Sequence, residues 1–172
     1  RLQAAERGKP AAFPAGGILR PDGATAWDPA WFAFLQEECP DTANPSLWRH
    51  AQLNAISGLF EVTDGLWQVR AADYANMSII AGDSGWIIVD PLLTRDTAQA
   101  SLKVVNDTLG HRPVSAVLVT HTHADHFGGL GGVVGEGDNI PIYVPEEFMA
   151  YAAAEGVLGG NHTSRRAIDQ FG

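Results

Sequence analysis

Residues 120–129 read Thr-His-Thr-His-Ala-Asp-His-Phe-Gly-Gly, and no other stretch limits the possible folds as strongly. His121, His123, Asp125 and His126 crowd four metal-type side chains into six positions. Buried together without a cation, three imidazoles and a carboxylate would repel or desolvate one another, so packing has no use for such a cluster. Imidazole and carboxylate suit Zn²⁺, and also Fe or Mn. On extended backbone His121 and His123 leave from the same face. Asp125 and His126 follow where Phe127-Gly128-Gly129 can turn the chain. One loop can therefore offer two ligands to one metal and two to a second, about 3.5–4 Å away.

The flanking sequence says where such a loop sits. Val114-Ser-Ala-Val-Leu-Val119 is short, apolar and largely β-branched, which predicts a buried strand. The ligands then lie at a strand's C-terminal end, where α/β layers carry their active-site loops. Gly128, Gly129, Gly131 and Gly132 are expected to allow close backbone approach. A second strand, Gly85-Trp-Ile-Ile-Val-Asp90-Pro91, also ends in an acid.

His121-x-His123-x-Asp125-His126, with the strand ending at Asp90, resembles the metallo-β-lactamase fold superfamily. The similarity is greater to its alkylsulfatase branch, the enzymes of the sodium dodecyl sulfate hydrolase type. The segments that carry it are Glu38-Cys-Pro-Asp-Thr-Ala-Asn-Pro-Ser-Leu-Trp-Arg49, Gly58-Leu-Phe-Glu-Val-Thr63, Ala75-Asn-Met-Ser78, Gly160-Asn161 and Ser164-Arg-Arg166. The resemblance spans about Asp28 to Gly172. It implies an α/β (α+β) fold, the αββα sandwich of two packed sheets with helices outside, of which this chain holds the first half only. It implies an N-terminal arm and covering helices over 1–57, then the first half of the catalytic domain over 58–172. It also implies a further His and two acidic ligands downstream. Tight zinc binding needs about three protein ligands per ion, or bridging groups. We therefore expect a C-terminal segment or another chain to complete the site, and a homodimer of the complete enzyme.

In a complete site His121 and His123 would hold one metal and Asp125 and His126 the other, two Zn²⁺ in all. Asp125 would also orient, or take a proton from, the metal-bound water. Histidine ligands need an acceptor on the outward nitrogen. Asp90 is expected to brace the loop, through a ligand His or the loop backbone; capping a turn before Pro91 is its simpler role. The implied reaction is hydrolysis of an alkyl sulfate ester to alcohol and inorganic sulfate by metal-activated water. Arg165 or Arg166 would meet the sulfate, although a surface ion-pair role is open to both. His50, His111 and His162 have no metal-type neighbours. Trp48, Trp67 and Trp86 are expected to pack the core or sheet, as are Asn76 and Met77. Two other readings share these residues. One is a thioester, lactone or lactam hydrolase on the same scaffold, because fold and metal do not set function. The other is a non-catalytic half-domain that docks with a partner chain.

Composition narrows the rest. The 172 residues give room for one domain, and 45% hydrophobic with 18% charged residues is ordinary for a globular chain. A net charge of −9 argues against nucleic acid as substrate. No stretch reaches the roughly 18 apolar residues of a membrane span. Cys39 is the only cysteine, so no intrachain disulfide forms, and a catalytic thiol is not indicated. The first residue is Arg1, which leaves room for a removed signal peptide and favours a bacterial periplasmic or secreted location over the cytoplasm. The triplets at Asn76, Asn106 and Asn161 carry little weight as glycosylation sites.

Local signals predict the elements. Residues 1–26, rich in Ala, Gly and Pro, read as an extended arm. Asp28-Pro29 and Asn44-Pro45 are cap-plus-proline starts of two helices, to about Glu38 and Ile56, both expected to cover a sheet face. The first would bury Trp31, Phe32, Phe34 and Leu35. Asp64-Gly65 predicts a hairpin between 59–63 and 66–70. A second hairpin joins 76–80 to 86–89. A helix over Arg95–Leu109 buries Ala98, Leu102, Val105 and Leu109 and stops at Gly110. After the metal loop come a short helix near Phe127, an edge strand over Ile140–Val144 marked by Pro141, and a helix opening at Pro145-Glu-Glu with its acids in the first turn.

Overall fold

The computed structural model describes residues 2–13 and 16–171. A short helix α1 (Leu2–Ala5) and a two-stranded ribbon, β1 (Ile18–Leu19) with β2 (Thr25–Trp27), form the arm. The arm does more than cross the surface. The Leu59 and Glu61 amides donate to the Ala11 and Gly8 carbonyls, at 2.9 and 2.6 Å, which satisfies the outer edge of the main sheet. Ile18 and Trp27 join its core.

Asp28 caps the next segment, accepting from the Ala30 amide at 2.8 Å, but Pro29–Gln36 winds as a 3-10 helix rather than an α-helix. Side chains three apart eclipse in that winding. Phe32 and Leu35 therefore turn inward, whereas Trp31 and Phe34 are left about half exposed instead of buried as expected. Asn44 caps α2 (Pro45–Asn54) through the Ser46 and Leu47 amides. No α2 residue is fully buried. It packs on the 3-10 segment, through Gln52 to the Leu35 carbonyl (2.7 Å) and Trp48 to that of Glu37 (3.3 Å), and does not lay an apolar face on the sheet.

The main sheet has six strands in the order β3 (Gly58–Thr63), β4 (Leu66–Arg70), β5 (Met77–Ala81), β6 (Trp86–Val89), β7 (Val114–Leu118), β8 (Ile142–Tyr143). The first four pair antiparallel in sequence order, two of their three connections being the expected turns, and Gly65 supplies the left-handed residue of the first (φ 74°). Then α3 (Arg95–Leu109) crosses over, and β7 joins β6 in parallel, followed by β8 at the edge. One sheet face, with Leu59, Val69, Met77, Ile79, Ile88 and Val117 at zero exposure, belongs to the core shared with α3.

Thr94 caps α3 by accepting from the Thr97 amide, and Gly110 ends it with φ 98°. Its buried stripe is Thr97, Ala98, Ser101 and Val105, while Leu102 and Leu109 are only partly buried. The shift has a cause. Loop residues and a short helix α4 (Leu130–Val133) press onto α3 where glycines leave no side chain in between. A Cβ at Gly129 would lie 2.0 Å from the Pro91 carbonyl oxygen, and one at Gly132 would lie 2.2 Å from that of Arg95. Gly131, in contrast, faces open space. Small residues on α3 match this close approach. α5 (Phe148–Leu158) begins three residues later than expected, because Glu147 is left-handed (φ 58°) and leaves both glutamates outside the first turn. The last helix is α6 (Gly160–Phe171).

Candidate metal centre

Parallel pairing of β6 with β7 puts their C-terminal ends side by side. Val89 faces Leu118, and the Asp90 amide donates to the Leu118 carbonyl at 3.0 Å. Thus the acid ending one strand meets the loop leaving the other, thirty positions on. Asp90 is left-handed (φ 56°) and its residue is 8% exposed. A non-glycine residue holds that conformation only when its surroundings fix it. Here the carboxylate takes three donors. Oδ1 accepts the Thr120 amide at 2.8 Å, and Oδ2 accepts the Thr120 hydroxyl at 2.7 Å and His126 Nδ1 at 2.9 Å.

These bonds fix the imidazole tautomers. A carboxylate only accepts, so the Thr120 hydroxyl spends its single proton on Asp90. Its lone pairs face His121 Nδ1 at 2.9 Å, so that nitrogen carries the proton and Nε2 is left as the donor atom. His126 likewise gives its Nδ1 proton to Asp90 and keeps a lone pair on Nε2.

The free donor atoms then pair off. His121 Nε2 lies 3.1 Å from His123 Nδ1, and His126 Nε2 lies 3.3 Å from Asp125 Oδ2. Ligands at 2.0–2.1 Å around a tetrahedral zinc stand about 3.3 Å apart. Both pairs match that spacing. They are adjacent, since the His121 and His126 rings are 4.0 Å apart at their centroids. The donor set and its spacing fit two divalent cations. Asp90, His121 and His126 also bring ligand-type atoms within 4.8 Å of one another. Both Asp90 oxygens are already committed, however, so we read Asp90 as the brace of this loop and His123 and Asp125 as the ligating members.

The loop stays in place through backbone ties. The Gly129 amide donates to the Leu92 carbonyl at 2.9 Å, and Gly128 sits where a Cβ would be 2.2 Å from the Leu93 oxygen. Thr120 was not singled out from sequence, although a hydroxyl directly before the first His is a signal for it. Glu155 on α5, with Oε1 3.7 Å from His123 Nε2, had no local signal at all.

Other expected residues fall elsewhere. Arg165 and Arg166 are exposed on α6, and among the described residues neither bonds to the cluster. Trp86 is buried and bonds Asn106 at 2.8 Å, Trp67 packs edge-on against it, and Trp48 packs on Phe34. Trp67 and Trp86 pack the sheet and core as expected, whereas Trp48 lies on the 3-10 segment outside both. The Cys39 thiol contacts the Pro40 and Ala43 carbonyls, far along the chain from the cluster. A groove of about 570 Å³ between the arm, α2 and the 70–76 segment contains none of the four candidate ligand residues.

Comparison with known proteins gives one superfamily. A family model described as the metallo-beta-lactamase superfamily matches residues 70–169. A linear primary-alkylsulfatase from a Pseudomonas species is 46% identical over 174 residues, covering 98% of this chain and 26% of the relative. An alkyl/aryl-sulfatase of Saccharomyces cerevisiae, BDS1, is 47% identical over 160 residues, covering 90% of this chain and 25% of the relative. The structure of the stereoselective inverting sec-alkylsulfatase Pisa1 from a Pseudomonas species superimposes with a TM-score of 0.87 at 44% identity, over 95% of this chain and 26% of that one. The chain spans about a quarter of the length of the relatives it matches.

Proposed function

This chain belongs to the metallo-beta-lactamase superfamily, and from that premise we propose that it supplies the first half of a dinuclear site hydrolysing alkyl sulfate esters. The products are an alcohol and inorganic sulfate, with water adding across the ester. One observation carries the proposal: two donor pairs at 3.1 and 3.3 Å, in a chain 46% identical to an alkylsulfatase. His121 and His123 hold one cation and Asp125 and His126 the other. Zn²⁺ is the metal that suits this nitrogen-rich set. When bound, such a pair activates water and polarises the anionic oxygens of the ester.

The remaining steps are the chain's own. Asp90 and Thr120 keep protons on the outward nitrogens of His126 and His121, so both rings present Nε2. Among the described residues no hydrogen bond engages Asp125 Oδ1, which leaves that oxygen to orient the attacking water or take its proton. The chain carries a net charge of −9, so an anionic ester needs local positive charge. The cations supply it, with Arg165 or Arg166 as the candidate side-chain partner if α6 closes over the site.

Completion from outside residues 1–172 has its own support. The sheet face opposite the core shows Ile80 and Leu118 at 37% exposure and Tyr143 at 60%, next to half-buried Ile87, Val89 and Ala116. A contiguous apolar surface of this kind calls for a partner layer. A second sheet laid there would also reach the C-terminal strand ends, where the ligands stand. The test is sulfate release from dodecyl sulfate by the protein that carries this chain, set against hydrolysis of a lactam and a thioester. Sulfate release is expected to dominate; preference for either alternative overturns the substrate assignment.

A further inference from the structure

Two of the three site histidines have an oxygen partner on the outward nitrogen within hydrogen-bond reach: Thr120 for His121 and Asp90 for His126. His123 has neither. Its Nδ1 faces His121, so its outward atom is Nε2, and 3.7 Å from it lies Glu155 Oε1. We propose that Glu155, on α5, is the positioning residue for His123, holding the proton on Nε2 so that Nδ1 is the ligand atom. The proposal rests on the reading of His123 as a metal ligand.

The helix is built to deliver it. Phe148, Ala152 and Glu155 are spaced i, i+4, i+7 and share one face. Phe148 is 7% exposed, and its ring meets Phe127 edge-on at 5.1 Å. Phe127 directly follows His126. Ala152 packs partly buried against the core. One helix face thus touches the metal loop twice, with an apolar contact two turns before the carboxylate. At 3.7 Å the two groups are close but beyond hydrogen-bond length, so the contact has to shorten by about half an ångström for Glu155 to accept the Nε2 proton. His123 and Glu155 side chains are 60% and 42% exposed, so screening leaves little net stabilisation from their attraction. What Glu155 contributes is ring orientation and tautomer. Carboxylate partners of ligand histidines act in this way, and losing one costs about 10–100-fold in metal affinity.

The test uses Glu155→Ala and Glu155→Gln in the full-length protein. Zinc is titrated against a chromogenic chelator, and the protonated and ligating nitrogens of His123 are read from ¹⁵N-histidine spectra of the zinc-loaded protein. Glu155→Ala is expected to mix the His123 tautomers and weaken zinc binding about tenfold. Glu155→Gln retains an acceptor oxygen and is expected to restore both. An unchanged tautomer in Glu155→Ala, even with a lower unfolding midpoint, overturns the positioning role and leaves only a structural one. His123→Ala is the separate control: unchanged zinc affinity there sinks the ligand reading itself, whatever Glu155 does.

Discussion

Replacing Asp90 separates bracing from ligation, because alanine and asparagine damage the site in different ways. Asp90→Ala removes the acceptor of three bonds at 2.7–2.9 Å around a side chain that is 12% exposed. Hydrogen bonds to a charged group are worth about 1.5–3 kcal/mol each, so a simple sum gives roughly 4.5–9 kcal/mol. The three share one carboxylate and water can enter the vacated space, so about 3–5 kcal/mol of lost stability is the expected figure. Asp90→Asn keeps an oxygen for the Thr120 amide. Its NH₂ then faces the Thr120 hydroxyl and His126 Nδ1. The hydroxyl can rotate to accept. The imidazole accepts only by moving its proton to Nε2, the atom that should bind metal. Asparagine should therefore cost only about 1–2 kcal/mol of stability yet weaken zinc binding by 10–100-fold or more. Urea unfolding of the zinc-free protein measures the first quantity and titration against a chelator the second. Parent zinc affinity in Asp90→Asn would refute the tautomer reasoning. Equal stability losses in the two variants would refute the assignment of Asp90 as a three-bond acceptor.

Four other outcomes follow from the same geometry. His123→Ala is expected to abolish hydrolysis in the complete enzyme while circular dichroism shows the fold retained; substantial residual activity contradicts the metal assignment. Gly129→Ala puts a Cβ 2.0 Å from the Pro91 oxygen and 2.8 Å from the Ala98 Cβ, and should lower stability by about 2–4 kcal/mol in urea unfolding. Asp73 is a buried acid that ties its neighbours together, accepting from the Thr97 hydroxyl (2.5 Å) and the Leu93 and Tyr74 amides; Asp73→Asn should lower the unfolding midpoint but leave zinc content, measured by atomic absorption, unchanged. Removing metal with a chelator should stop sulfate release, and added Zn²⁺ should restore it; activity that survives exhaustive chelation contradicts the dinuclear reading.

The parts of this protein that short stretches of sequence specify were legible. Asp64-Gly65 marked a hairpin, and the apolar period with Gly110 marked the helix over Arg95–Leu109. The run His121–His126 marked a candidate metal loop, because packing has no use for such side chains at that density. Backbone dihedrals, caps and turn residues act over a few positions, so their signals survive without the fold. The expected cover by α2, the burial of Trp31 and Phe34 and the buried face of α3 depended on what each element packs against, and there the local pattern misled. Placing Asp90 against Thr120 and His126 required two strands to pair in parallel, so that residues thirty or more apart share one end of a sheet. The Glu155 contact depended on where α5 docks, through Phe148 on Phe127. The amino-acid order thus chose the candidate ligands, while strand pairing and helix docking chose which ring nitrogens are engaged by neighbours and which are left open. A side chain's proton is set by its nearest neighbours in space, and those neighbours come from distant parts of the chain.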